Sequence, residues 1–331
     1  MSAEEPGLAP DWIEEVESMT PLLATLFEWD SYEEIVSGFG FTEGPLWHPD
    51  GHFLFNDVPR AEAWRVIPGQ DPKLIRKNTG GANGQTFDLE GRVVFCEGGT
   101  SSDGGARRIG RIDHDGTIKT VVDRWDGKRL NAPNDIVCSS DGNLYFTNPE
   151  VRVPQDMREI GYSNVLRYGP DGSVTEVCGH MSLPNGLALS PDERTLYVAN
   201  TRPDPKIYAY TLDDDGRGRD ERIFYEMPVA TEDEEAQTRV PDGLKVDLEG
   251  RLYGSGPGGV WVWEAGGTLL GVIKTPEWPG NLAWGEADNQ TLFVTCRTSV
   301  VSVRMTTPGV PIPGAESAGR SSWLSRGGRG L

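Results

Sequence analysis

Histidine and cysteine are scarce in this chain, four of each among 331 residues, and their placement excludes several chemistries. Cys96, Cys138, Cys178 and Cys296 form no C-x-x-C pair, so neither a thiolate metal site nor a redox dithiol is written into the sequence. Four buried, reduced thiols are the expectation. His48 and His52 flank one turn, His114 lies in another, and no G-x-S-x-G elbow is present. A Ser-His-Asp hydrolase therefore fits badly. His180, just ahead of Asn185, is the single candidate proton shuttle. Positive charge is also short: 31 Lys and Arg against 51 Asp and Glu leave a formal net charge of -20. Nucleic-acid affinity rests on cations that neutralise phosphates, so polyanionic partners are excluded. The longest apolar run near the start, Pro21 to Phe27, is too short to span a bilayer. It follows an acidic stretch, which makes a poor signal peptide, and no membrane partner is expected. A cytoplasmic protein is the resulting expectation.

What is abundant is glycine and proline, 42 and 24 residues, in a texture of short alternating strands and tight turns. Six loops share one register. They read Thr42-Glu43-Gly44, Ala82-Asn83-Gly84, Pro133-Asn134-Asp135, Pro184-Asn185-Gly186, Pro241-Asp242-Gly243 and Gly280-Asn281-Leu282. Seven positions after each oxygen-bearing residue comes an acidic turn residue: Asp50, Glu90, Asp141, Asp192, Glu249 and Asp288. Strand-like segments follow those turns, as in Gly51-His52-Phe53-Leu54-Phe55 and Gly142-Asn143-Leu144-Tyr145-Phe146. A secondary turn, such as His114-Asp115-Gly116 or Pro170-Asp171-Gly172, falls within most repeats. Repeats of roughly 40–60 residues with two turn units each describe four-stranded blades closing radially. The fold class is all-β, a six-bladed β-propeller over residues 36–305. Residues 1–35 form an extension in which Trp12, Val16, Met19, Leu22, Leu23, Leu26 and Phe27 fall near helical spacing, predicting one or two helical turns docked on the body. Residues 306–331, rich in Pro, Gly, Ser and Arg, lack periodicity and read as a disordered, dispensable tail. The acidic stretch within residues 226–239 reads as a surface loop.

Radial closure brings equivalent loops to the central axis. Asn-Gly and Asp-Gly are ordinary turn dipeptides, but turn chemistry asks for neither Glu43 nor the Asn134-Asp135 pair. Glu43, Asn134, Asn185 and Asp242 supply two carboxylates and two amides from four blades. All-oxygen donors select a hard divalent cation, Ca²⁺ or Mg²⁺, and four side chains leave coordination positions open to water and substrate. An under-filled site of that kind suits Lewis-acid hydrolysis.

These loops carry a resemblance to a known family. Phe41-Thr42-Glu43-Gly44-Pro45-Leu46-Trp47, Leu130-Asn131-Ala132-Pro133-Asn134-Asp135, Leu183-Pro184-Asn185-Gly186 and Val240-Pro241-Asp242-Gly243 resemble the gluconolactonase group that includes senescence marker protein (regucalcin) and the drug-responsive lactonase. The resemblance implies lactone hydrolysis with one catalytic divalent metal, usually Ca²⁺, with Mg²⁺, Mn²⁺ or Zn²⁺ as alternatives. It implies Glu43, Asn134, Asn185 and Asp242 as metal ligands, with Asp242 next to the reacting centre as general base or nucleophile. Similar propellers hydrolyse phosphotriesters and aryl esters, and others are non-catalytic calcium-binding scaffolds, so both remain alternatives. The expected partner is a small lactone or ester. Asn83, Asn281, Glu97 and Arg108 are candidate substrate contacts; a rim role is the alternative for Glu97, and surface decoration for Arg107 and Arg108. Trp278 or Phe146 is expected near the mouth. The segment Asn148-Pro149-Glu150-Val151-Arg152 departs from the family's usual Asp-Pro-x-Tyr-Gly, in a loop expected to overhang the pocket.

Overall fold

Each repeat delivers four antiparallel strands, because every short run alternates between residues that pack on the next blade and residues that face the previous one. The computed structural model describes residues 21–99, 105–150, 152–227 and 240–319. Six four-stranded sheets, here blades 1 to 6, begin at the strands Thr42–His48, Ala82–Phe87, Ile136–Cys138, Pro184–Leu189, Leu244–Val246 and Pro279–Gly285. These six are the innermost strands and surround the central channel. The segments expected after the acidic turns are the second strands, from His52–Asp57 in blade 1 to Thr291–Cys296 in blade 6. Apolar side chains fill the seams between blades. Phe53, Phe55 and Phe293 lie between blades 1 and 6, and Phe224, Trp261 and Trp263 between blades 4 and 5.

Blade 6 is completed by the other end of the chain. Strand Glu33–Ser37 pairs antiparallel with Ser299–Arg304 and forms the outer edge of that blade. Residues 33–35, placed by sequence in the extension, are thus the start of a strand whose alternation two leading glutamates mask. Ahead of it the chain makes two short 3₁₀ turns, Leu23–Thr25 and Trp29–Ser31. Leu23, Leu26 and Phe27 insert among Val260, Leu292 and Val301, which docks this described part of the extension on the body. Trp12, Val16 and Met19 lie outside the described residues.

The six acidic turn residues sit at the opposite end of the inner strands from the oxygen-bearing loops. Most of them close turns or pair with arginine: Glu90 with Arg92, Glu249 with Arg251, Asp288 with Arg304. Gly51 adopts φ +83° in the first of these turns, and Glu193 and Asn289 take the same left-handed region in blades 4 and 6. The repeat is therefore structural at one mouth and polar at the other.

That turn-bearing mouth is covered. The chain does not leave the body at residue 306, as its lack of periodicity suggested. The Val310 N–H donates to the Val246 carbonyl (3.1 Å) and the Leu248 N–H to the Pro308 carbonyl (2.9 Å). Ile312 and Ala315 then pack with the buried Ala318 against Leu46, Phe87 and Val93. Four apolar residues in a Pro- and Gly-rich frame suffice to anchor a strap without any helical or strand period. Residues 320–331 lie outside the described residues. Deleting residues 306–331 is therefore expected to lower the melting temperature by on the order of 5 °C, the effect of exposing a few apolar side chains in a domain of this size. Thermal denaturation checks this, and an unchanged midpoint would return the strap to a passive tail.

Candidate active site

The loop entering each inner strand places its oxygen-bearing residue at the channel mouth, and in four of the six the glycine after it (Gly44, Gly84, Gly186 or Gly243) lets the next blade approach. A methyl group on Gly186 would lie 2.6 Å from Gly243 Cα, and one on Gly243 would lie 2.6 Å from Asn281 Cα. Backbone hydrogen bonds cross the same seams: Gly84 N–H to Asn134 O (2.8 Å), Gly186 N–H to Asp242 O (3.0 Å) and Gly243 N–H to Gly280 O (2.8 Å). Among these four glycines only Gly44 has positive φ, at +58°. Close approach, rather than turn geometry, explains the others. Hydroxyls on the second strands hold the loops from behind. Asp242 N–H donates to Ser255 Oγ (3.0 Å), Asn281 N–H to Thr295 Oγ1 (3.0 Å), and Asp135 N–H to Thr147 Oγ1 (3.0 Å).

Glu43, Asn83, Asn134, Asp135, Asn185, Asp242 and Asn281 are all buried. Asn281 Nδ2 joins two of the carboxylates, donating to Glu43 Oε2 (3.2 Å) and Asp135 Oδ2 (3.3 Å). Glu43 also accepts the Gly44 N–H at 2.7 Å. Burial and the charge of Asp135 outweigh these bonds and push the Glu43 carboxyl up to about 7. Asp242 is raised well above the carboxylate range, first by burial and then by the charge of Glu43. Two buried acids that raise their own proton affinity are held in place by the fold and need a cation or a proton between them.

The amides bear on which it is. Asn185 Nδ2 donates to Thr201 Oγ1 (2.9 Å), whose hydroxyl donates in turn to Pro241 O (2.9 Å). The amide oxygen of Asn185 is then left buried with no hydrogen-bond partner among the described residues, as is that of Asn83. An orphaned buried oxygen beside two crowded carboxylates fits a hard cation better than a proton, which could satisfy an acid but not an amide oxygen. Asn134 is fixed through its backbone, by Thr147 O and Gly84 N–H, and its side chain forms no hydrogen bond among the described residues. No trio of His, Cys, Asp or Glu converges at metal-ligand spacing among the described residues, so a cation here would depend on the amides.

Several candidate residues stand elsewhere. Both oxygens of Glu97 are engaged, by Arg76 Nη2 at 2.6 Å and Arg108 Nε at 2.5 Å. That cluster clamps blade 1 to blade 2, with Arg76 over the Phe95 ring. Arg107 is buried and tied to the Leu130, Asn131 and Met157 carbonyls, so it braces the blade 3 loops rather than framing a pocket. Asn281 spends its amide within the protein, with Lys245 Nζ on its oxygen at 3.3 Å. His180 pairs with Glu221 of the outermost blade 4 strand at 2.8 Å, remote from the ring, which ends its case as a proton shuttle. Phe146 is core. Trp278 is partly exposed and lies edge-on, at 5.4 Å, to Phe41, which is two positions ahead of Glu43 in the chain.

Sequence reasoning overlooked Asp135 as a ring carboxylate, Phe41 as a wall, and Lys245. The last was readable: a cation on an innermost strand, next to the buried Leu244, has only the channel to point into. Below the ring Lys245 and Gln85 line a cavity of about 70 Å³ with Ile136, Leu187 and Ile312, closed by the strap.

A closed six-bladed propeller with buried oxygen-bearing side chains gathered at one mouth is the class of protein that the fold and the site define. The chain belongs to the family described as the SMP-30/gluconolactonase/LRE-like region, matched over residues 41–298. It is 34% identical to a gluconolactonase of Zymomonas mobilis, over 84% of this chain and 82% of that protein. A pentonolactonase of Haloferax volcanii is 27% identical over 76% of this chain and 80% of its own length. Among solved structures, a gluconolactonase of Xanthomonas campestris superposes with a TM-score of 0.77 at 31% identity, covering 87% of this chain and 93% of that one.

Proposed function

We infer that this protein is a lactonase, a hydrolase that opens a cyclic ester to its hydroxy acid. The observation that carries this reading is that Glu43 and Asp242, buried acids from blades 1 and 5, come to one mouth near enough for the charge of Glu43 to raise Asp242. Its place in a family with curated lactonases supplies the reaction class. Glu43, Asn134, Asn185 and Asp242 would hold one divalent cation, calcium first among the candidates. When bound, such an ion supplies Lewis-acid stabilisation of charge developing on the carbonyl oxygen.

The chain's own residues do the rest. Asp242, at 9% exposure against 2% for Glu43, is the ring carboxylate most open to the mouth. It takes the proton from the attacking water at its carboxylate oxygen as the new C–O bond forms, and returns it to the ring oxygen as the ester bond breaks. Glu43 stays charged and fixes the geometry, held by the Gly44 N–H and Asn281. Asn83 Oδ1 offers an acceptor to a substrate hydroxyl. Phe41 and Trp278 wall one side and exclude water from the sugar face.

Each turnover releases one proton at neutral pH, so a pH-indicator assay tests the reading. Aldonolactones, simple γ- and δ-lactones, an aryl ester and a phosphotriester form the panel, before and after chelation and readdition of Ca²⁺. Cation-dependent acid release from lactones is expected. Turnover confined to the aryl ester or phosphotriester would replace the reading, and none at all would leave a binding scaffold.

A further inference from the structure

Three of the ring loops rest on a hydroxyl from the second strand of their own blade, Thr147 in blade 3, Ser255 in blade 5 and Thr295 in blade 6. Each stands three residues after a leucine of that strand, Leu144, Leu252 or Leu292, and accepts a backbone N–H of the loop. Blade 4 breaks the pattern. Three residues after Leu196 comes Ala199, which has no hydroxyl, and the hydroxyl arrives two residues later at Thr201, beyond the strand Thr195–Asn200. The displacement changes what is held. Thr201 Oγ1 meets the side chain of Asn185 instead of the loop backbone, accepting from Nδ2 at 2.9 Å.

Thr201 is itself fixed. It is buried, its N–H donates to Leu183 O (3.0 Å), and the Leu183 N–H donates to Asn200 Oδ1 (2.9 Å). The direction of its bond to Asn185 follows from counting protons. Pro241 O, 2.9 Å from Thr201 Oγ1, is a carbonyl that can only accept, so it takes the single hydroxyl proton. Lone pairs alone then face Asn185, and the amide turns its nitrogen to them. The amide oxygen is left on the other side, buried and without a partner among the described residues. Asn185 makes no other side-chain hydrogen bond among the described residues, so one hydroxyl distinguishes the two ends of its amide.

We propose that Thr201 is a positioning residue for the cation site: acting through Asn185, it determines that an amide oxygen, rather than an NH₂ group, is offered to the ion. The proposal rests on the part of the lactonase reading that puts a divalent cation on Asn185. Hard cations take oxygen ligands, and an amide free to flip would spend part of its time presenting N–H donors to the ion. Partners that orient a metal ligand from behind are worth about 10–100-fold in affinity.

The experiment measures the Ca²⁺ dissociation constant of chelator-treated full chain by titration calorimetry, with Mn²⁺ and Zn²⁺ in parallel. Melting temperature and kcat/KM on glucono-1,5-lactone are recorded for the same samples. Thr201→Val, which keeps the shape and removes the hydroxyl, should weaken binding by about 10-fold or more, and Thr201→Ser should stay within about 3-fold of wild type. Added to Asn185→Ala, Thr201→Val should cost less than about 3-fold further, because the amide it orients is gone. Thr201→Ala takes its place if Thr201→Val does not fold. A lower melting temperature with unchanged affinity, a serine variant as weak as the valine one, or effects that add fully to Asn185→Ala each overturn the proposal. A wild type that hydrolyses the lactone while binding none of the three ions overturns it and leaves the lactonase reading standing. One that binds an ion but turns over no lactone removes that reading, and the affinity loss in Thr201→Val would still support the positioning role.

Discussion

Asp242→Asn is expected to lower kcat/KM on a lactone substrate by about 10³-fold or more, the usual scale for losing a group that acts on the reacting atoms. The same substitution should raise the melting temperature of cation-free protein. Asparagine is nearly isosteric with aspartate and removes an acid whose ionised form burial and the charge of Glu43 disfavour. Glu43→Gln should behave in parallel. Its carboxyl binds a proton up to about pH 7 when folded against 4.5 in the unfolded chain, so the folded state holds more protons across that interval. Stability of the cation-free protein therefore falls as pH rises from about 4.5 through about 7, and Glu43→Gln should flatten the slope. Saturating Ca²⁺ should reverse the ranking, because wild type gains binding energy that the amides give up. Melting curves at pH 5 and 8, with chelator and with Ca²⁺, read all of this. A variant that keeps wild-type turnover would move the chemistry away from these acids. One that melts lower without cation would mean that the carboxylates support the fold rather than strain it.

A large effect on stability is expected from the smallest side-chain change. Gly243→Ala and Gly186→Ala each put a methyl group into the backbone of the neighbouring blade, 2.6 Å from Asn281 Cα and Gly243 Cα respectively. Backbone across a closed ring has nowhere to retreat, since a shift in one blade is passed to the next. A cost of about 3 kcal/mol or more is expected from overpacking at each position, with loss of activity following the displaced oxygen donors. Gly51→Ala is the control. That glycine has φ +83° but no heavy atom within 4 Å of the added carbon, so only backbone strain remains, about 1 kcal/mol. Chemical denaturation of the three variants separates the cases, and equal costs would show that the seams yield to the added carbon.

These glycines also mark how far the sequence could be read. The oxygen-glycine loops repeat in register with the acidic turns, so six blades and the polar mouth were legible from spacing alone. Glu43, Asn134, Asn185 and Asp242 could be placed together for the same reason. What spacing could not convey is whether a side chain is already spoken for. Glu97 looked available on a strand beginning near Asn83, yet Arg76 comes from a different blade to claim it. Asn281 matched its repeat partners in position but is consumed as a bridge between Glu43 and Asp135. The strap was illegible because four apolar residues at irregular spacing have no period to detect. The strand Glu33–Ser37 was hidden because its pairing partner lies at the far end of the chain.

That last pairing gives the molecule a birth order. A ribosome that has made five blades has made no enzyme, because the first strand, already made, waits for the last strands of the chain to come back and pair with it. Thr42 crosses the same seam, its hydroxyl bonded to the Cys296 and Ser299 carbonyls, one residue ahead of Glu43. Glu43 and Asn281, in contact across it, are separated by 238 positions of chain. Contacts so distant in sequence form late and slowly. Acquisition of the polar mouth during refolding would therefore report the final step of assembly, and a tag or fusion at the N-terminus that hinders the first strand would silence the protein while leaving most of its strands intact.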